Sequence, residues 1–178
     1  MIVAIFRLNV PKILVFYIVL CLPQGVFSQN GLLWSSPESV AGASFGDSSP
    51  RMALLADGTP VVVWGKPAGV SQIWCARWTG TTFSMPVLVN TGSVAPGIYE
   101  FGGLDVATAG QRVFVVFENF SQGIFLARSE DGGLSWQPPV TVFATPAGMG
   151  NTISAITTDA AGNPIVTFLL QTSSETDA

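Results

Sequence analysis

The chain has no histidine and only two cysteines in 178 residues. Without imidazole there is no Ser-His-Asp or Cys-His nucleophile system and no zinc site of the His-containing kinds, and two thiols are too few for an all-cysteine zinc site. Charge is scarce as well. Asp, Glu, Lys and Arg make up 10% of the chain, against about 25% in ordinary soluble domains, so solubility rests on Ser, Thr, Gln, Asn and Gly. The net charge of -4 supplies no phosphate-neutralising patch, and nucleic acid is not an expected partner. Neither a metal nor a cofactor is expected.

The longest apolar run, Ile13 to Leu22, follows Arg7 and Lys12 and is followed by Pro23, Gly25 and the small Ser28. That order of basic, apolar and small residues describes a secretory signal peptide over residues 1–28, cleaved after Ser28. The run is short of the roughly 20 apolar residues a membrane span needs. An uncleaved anchor would have to extend back across Arg7, Asn9 and Lys12. A lipid-modified Cys21 would want a small residue before it, where Leu20 stands. The expected location is therefore secreted or cell-surface, with no membrane association beyond the export signal. Cleavage removes Arg7 and Lys12, leaving 150 residues with 5 basic and 11 acidic side chains, a formal charge of -6. Cys75 would then be the lone cysteine. It lies in the apolar run Ile73-Trp74-Cys75-Ala76 and reads as a buried, inert thiol.

Beyond residue 29, Val, Ile, Phe, Trp and Thr cluster in short runs broken by Gly, Pro, Asn or Asp, the pattern of strands and turns. The runs repeat. Gly58, Gly110 and Gly162 are spaced 52 apart, each between two apolar runs. The second runs align as Val61–Trp64, Val113–Val116 and Ile165–Phe168. The first runs are Met52–Leu55, Leu104–Ala107 and Ile153–Thr157, the last with one extra residue. A third run, Ser71–Arg77, matches Ser121–Arg128 with one inserted glycine. A fourth element pairs an aromatic with a proline and a strand: Trp34, Pro37 and Val40; Phe83, Pro86 and Val89; Trp136, Pro139 and Val142. Four antiparallel strands per repeat describe an all-β fold, a β-propeller of four-stranded antiparallel blades whose inner strands are covered by their neighbours. Residues 29–178 hold an outer strand, two full blades and the start of a third, with repeats near 49–90, 100–143 and 151–178. Ring closure needs roughly four to eight blades, so the chain reads as part of a larger ring with two apolar faces otherwise open to water.

Ser129-Glu130-Asp131-Gly132-Gly133-Leu134-Ser135-Trp136 falls between the third and fourth strands of its repeat. It fits Ser-x-Asp-x-Gly-x-Ser/Thr-Trp and resembles the bacterial neuraminidase repeat, or Asp-box, of sialidase-like propellers. Aspartate can accept amide hydrogen bonds of a tight turn, glycines supply positive φ, and the tryptophan can pack between sheets. Ser129, Asp131, Gly133 and Trp136 are therefore expected to be structural, since one carboxylate cannot supply the roughly 6–8 oxygens calcium takes. The preceding copy, Trp78–Phe83, lacks the aspartate.

The resemblance implies a sialidase site of three arginines, a tyrosine nucleophile with a glutamate, and an acid/base aspartate. Arg51 stands where the first arginine would, but Met52-Ala53 replaces the Ile-Pro that follows it in the enzymes. The stretch after the second strand, Trp64 to Ser71, contains no carboxylate, which speaks against the chemistry. By the same resemblance Arg51, Lys66, Tyr99, Glu100, Glu118 and Asn119 lie on or near the ligand face, and Arg112 and Asp131 on the other. Arg51, Glu100, Glu118 and Asn119 are the candidate ligand contacts, with a solvated rim as the plainer alternative. Arg77 and Arg128, at matching third-strand positions, should share a structural role, and Trp74 and Phe125 should pack between blades. The expected protein is an exported, non-catalytic recognition or scaffold module, with a glycan or surface polysaccharide as partner. A sialidase-type glycoside hydrolase with its nucleophile beyond residue 178, and a structural adhesion protein of the cell surface, are the alternatives.

Overall fold

A computed structural model describes residues 2–3, 36–40, 47–66, 71–92, 94–98 and 103–172. The described residues form strands and turns only. Two short strands, β1 (Ile2–Val3) and β2 (Glu38–Ser39), pair with each other. The rest of the 1–28 segment, Trp34, Tyr99 and Glu100 lie outside the described residues.

The first sheet is a meander of β3 (Ser48–Leu54), β4 (Pro60–Lys66), β5 (Gln72–Arg77) and β6 (Val87–Leu88), and the second repeats it as β7 (Leu104–Ala109), β8 (Arg112–Asn119), β9 (Gly123–Ser129) and β10 (Val140–Ala144). All pairings are antiparallel. A third sheet holds β11 (Met149–Thr158) and β12 (Pro164–Thr172). The first strand of the second sheet, β7, touches both β3 and β11, so the sheets follow one another as neighbouring blades of a propeller would.

Runs such as Val61-Val62-Val63-Trp64 suit a strand buried on both faces, because β-branched and aromatic side chains pack well on a pleated surface. One core lies between the first and second sheets and includes Val61, Val63, Ile73, Cys75, Val113, Val115, Phe117 and Phe125. Another, with Phe114, Val116, Ile124 and Ile156, joins the second sheet to the third. The far face of the first sheet is covered by Val40 over Val62, Trp64, Ala76 and Phe83. Phe125 lies in the core between the first and second sheets, stacked on its cross-strand neighbour Phe117 with ring centroids 5.7 Å apart, whereas Trp74 packs on the far-face cluster of the first sheet with Val40.

Three expectations need correction. The expected cover of the inner strands is uneven: β3 alternates between exposed and part-buried positions, whereas β7 is buried at Leu104, Val106 and Ala107, and β4 and β8 are buried along nearly their whole length. A second strand has sheet neighbours on both sides and a packed layer on both faces; a first strand has one sheet edge open. Second, the 52-residue glycine spacing does not mark equivalent turns. Gly58 and Gly162, both at φ 79°, close the same five-residue loop, in which their amides donate to Leu55 and Asp159 carbonyls; Gly110 belongs to a two-residue hairpin turn between Ala109 and Arg112. Third, the extra residue expected in the last first strand is a β-bulge between Thr152 and Ala155, and β3 has its own between Ser48 and Arg51. Ile153 and Ser49 carry the positive φ of these bulges, 55° and 51°, a conformation costing about 1–3 kcal/mol off glycine.

The true equivalence follows from register. Arg77 pairs with Val61 and Arg128 with Phe114, so with the third strands matched as the sequence suggests, the second strands align 53 apart, not 52. Val63 and Val116 then correspond, and their first-strand partners are Arg51 and Asp105.

Candidate functional site

The starts of the first strands and the end of β8 lie at one end of the sheets, and they bring Arg51, Asp105, Glu118 and Asn119 into one region. Arg51 is half-exposed; its Nε is 3.9 Å from Asp105 Oδ1, and its Nη1 donates to the Pro50 carbonyl at 3.1 Å. Asp105, which the sequence reading passed over, also accepts a 3.0 Å hydrogen bond from the Ile156 amide through Oδ2. One carboxylate therefore joins the first strands of all three sheets. Its signal was absent because only the register correction places it level with Arg51.

Glu118 does not stand on a solvated rim. It is 1% exposed, on the face of β8 that turns toward the third sheet, and neither carboxylate oxygen has a hydrogen-bond partner of normal geometry. Loss of water pushes its pKa up to about 7 against the opposing pull of the Ile153 and Gly103 amides; the charged form is the one disfavoured by burial. Asn119 is committed to its own turn. Its Oδ1 accepts from the Ser121 amide and hydroxyl and the Gln122 amide, while Nδ2 donates 2.9 Å to the Ala95 carbonyl. Such an Asx turn is a structural use of asparagine. Lys66 closes β4 at this same end.

At the opposite end, the Ser129–Trp136 turn has the geometry its residues suggest. Asp131 Oδ1 accepts from the amides of Leu134 (3.0 Å) and Ser135 (2.9 Å) and from the Ser129 hydroxyl (2.8 Å), and Oδ2 accepts from the Ser135 hydroxyl at 2.6 Å. Ser129 Oγ accepts from the Gly133 amide at 2.8 Å. Desolvation raises the Asp131 pKa, but the bonds from Ser135, Ser129 and Leu134 outweigh it and hold the value near about 2. The turn also fastens one sheet to the next. Gly133 has φ 88°, and a Cβ there would fall 2.8 Å from Cys75 Sγ; a Cβ on Gly132 would meet Arg77, Gln111 and Leu55. Arg77 Nη1 donates to the Asp131 carbonyl at 3.3 Å, and Trp136 packs on the core between the two sheets. Cys75 beneath it is fully buried, its thiol pushed up to about 12 mainly by desolvation.

Arg128 lies at the same end in the second sheet, with Glu130 at 2.9 Å and a 3.1 Å bond to Gln137. Arg112 is there too, over the Phe114 ring at 5.7 Å. Among the described residues no group of three or more acidic, cysteine or histidine side chains could hold a metal, and no helix is long and apolar enough to cross a membrane.

No family model matches the chain, and no curated protein matches it. Among solved structures it is similar to the Hadza microbial sialidase Hz136, with TM-score 0.43 and 13% identity over 75% of this chain. The chain spans 36% of that structure's length.

Proposed function

We propose that the protein is an exported, non-catalytic propeller module of sialidase-like type that serves recognition or scaffolding, with a carbohydrate of a glycan or surface polysaccharide as its partner. The observation that carries this reading is how the polar side chains at the strand-start end are employed. Arg51 is drawn to Asp105, Asp105 is bonded to the Ile156 amide, Asn119 caps its turn and Glu118 is buried. Arg51 and Asp105 are engaged in ties between strands, Asn119 in its turn, and Glu118 is enclosed, whereas a catalytic acid or nucleophile must reach substrate. The carboxylate-free stretch from Trp64 to Ser71 supports the same conclusion. Arg51, with its side chain 36% exposed, is the candidate contact for a ligand's anionic or hydroxyl groups, and the Asp-box contributes to the scaffold.

The test is a glycan array probed with the intact protein alongside a fluorogenic sialoside. Saturable glycan binding lowered by Arg51→Ala, with no product release, is the expected outcome. Sialoside hydrolysis abolished by Arg51→Ala would overturn the reading in favour of an enzyme, and absence of any glycan signal would leave a structural spacer.

A further inference from the structure

Four buried side-chain oxygens lie where the end of β8 meets the bulged start of β11: Glu118 Oε1 and Oε2, Asn151 Oδ1 and Ser154 Oγ, none of which has a hydrogen-bond partner among the described residues. The three residues are 1%, 0% and 9% exposed. Hydrogen bonds hold the two segments together here, since the Asn151 amide donates to the Phe120 carbonyl at 3.2 Å and Asn151 Nδ2 to the Asn119 carbonyl at 3.1 Å. Ile153, between Asn151 and Ser154, directs its amide at Glu118, as does Gly103. While Glu118 is ionised, three of the four oxygens only accept, and the Ser154 hydroxyl supplies the one hydrogen. Buried acceptors set against one another have lost their water without replacement. Protonation of Glu118 adds the missing donor.

The first junction fills the same position differently. Glu118 corresponds to Gly65 by the register that matches Val116 with Val63, and there Ile98 takes the space: a Cβ on Gly65 would fall 2.5 Å from its Cγ2. Hydrocarbon packs that junction, and a titratable acid packs the next. We propose that Glu118 is a proton-operated clasp between the second and third sheets: as the neutral acid it donates to a side-chain oxygen of Asn151 or Ser154 and holds the start of β11 on β8, and as the carboxylate it lets that segment open. Other charges do not take over this role. On the same face of the second sheet β7 presents Asp105, which accepts the Ile156 amide and lies 3.9 Å from Arg51. Arg112 of β8 and Arg128 of β9 stand at the opposite end, and β11 and β12 contain no Asp, Glu, Lys or Arg. Burial sets the range, with a folded pKa of about 7 against the ordinary 4.5: closure is complete below the ordinary value and is lost as pH rises through the folded one. The clasp needs no bound ligand and so stands apart from the carbohydrate reading.

The test is amide hydrogen exchange of the full chain, read residue by residue by nuclear magnetic resonance and corrected for the intrinsic pH dependence of exchange. Between about pH 5 and pH 8 the protection of the Asn151 amide should fall at least about tenfold and level off above about 7. The Ala56 amide, which donates to the Gly110 carbonyl across the first junction, should change by less than about twofold. Glu118→Gln keeps a donor at every pH and should hold the Asn151 protection level. A flat wild-type profile at Asn151 overturns the proposal. So does an equal fall at Ala56, the mark of global unfolding, or a Gln variant whose profile falls as the wild type does.

Discussion

Arg51 and Asp105 occupy the same position in consecutive first strands, with Nε and Oδ1 3.9 Å apart. The contact is long and both side chains reach solvent, so the pair itself contributes little; its arrangement matters because Asp105 also accepts the Ile156 amide of the third sheet.

Arg51→Ala should therefore lower stability by no more than about 1 kcal/mol, whereas Asp105→Ala, which also orphans the Ile156 amide, should cost about 1–3 kcal/mol. Urea unfolding of the two single variants and the double variant measures both terms. Equal losses in the singles would show that the amide bond carries no weight.

The Ser129–Trp136 turn makes a sharper demand. Asp131→Ala removes four accepted hydrogen bonds from a turn that seats one sheet on another, and we expect a loss of about 1–3 kcal/mol after discounting for exposure. The folded pKa near about 2 lies below the ordinary 3.8. The contribution of this carboxylate is thus present above the ordinary value and is lost as pH falls through the folded one. Thermal melts from neutral pH down into the acid range should show a steeper decline for the wild-type protein than for Asp131→Ala.

Glu118 has the opposite linkage. Its folded pKa of about 7 exceeds the ordinary 4.5, so its contribution is fully present below the ordinary value and is lost as pH rises through the folded one. Glu118→Gln, which keeps the shape without the charge, should flatten that dependence and be the more stable protein at pH values above about 7. An unchanged slope in the Gln variant would place the titration elsewhere.

Gly133→Ala combines a positive φ with a clash against Cys75 Sγ, at a cost of about 1–3 kcal/mol. Adding Cys75→Ala removes the sulfur but not the backbone strain, so denaturant unfolding should show partial recovery. Complete recovery would assign the whole cost to the clash.

In the native protein the Cys75 thiol should stay unlabelled by a thiol reagent at neutral pH and react once denaturant opens the sheets, because burial disfavours the thiolate. Rapid native labelling would contradict the packing of the Ser129–Trp136 turn over Cys75.

The sequence by itself determined the features whose partners are close in the chain. Ser129, Asp131, Gly133 and Ser135 satisfy one another within a span of seven residues, so their spacing is enough to specify the turn. The apolar runs were likewise enough to specify strands and a buried Cys75. The tertiary structure alone decided register. A glycine in a two-residue turn and one in a five-residue loop look alike in sequence, yet the difference moves the second strand by one place, and a one-place move turns every side chain to the other face of a sheet. That shift sets Asp105 level with Arg51 and turns Glu118 into the interior, because each relation depends on a neighbouring sheet and not on neighbouring residues.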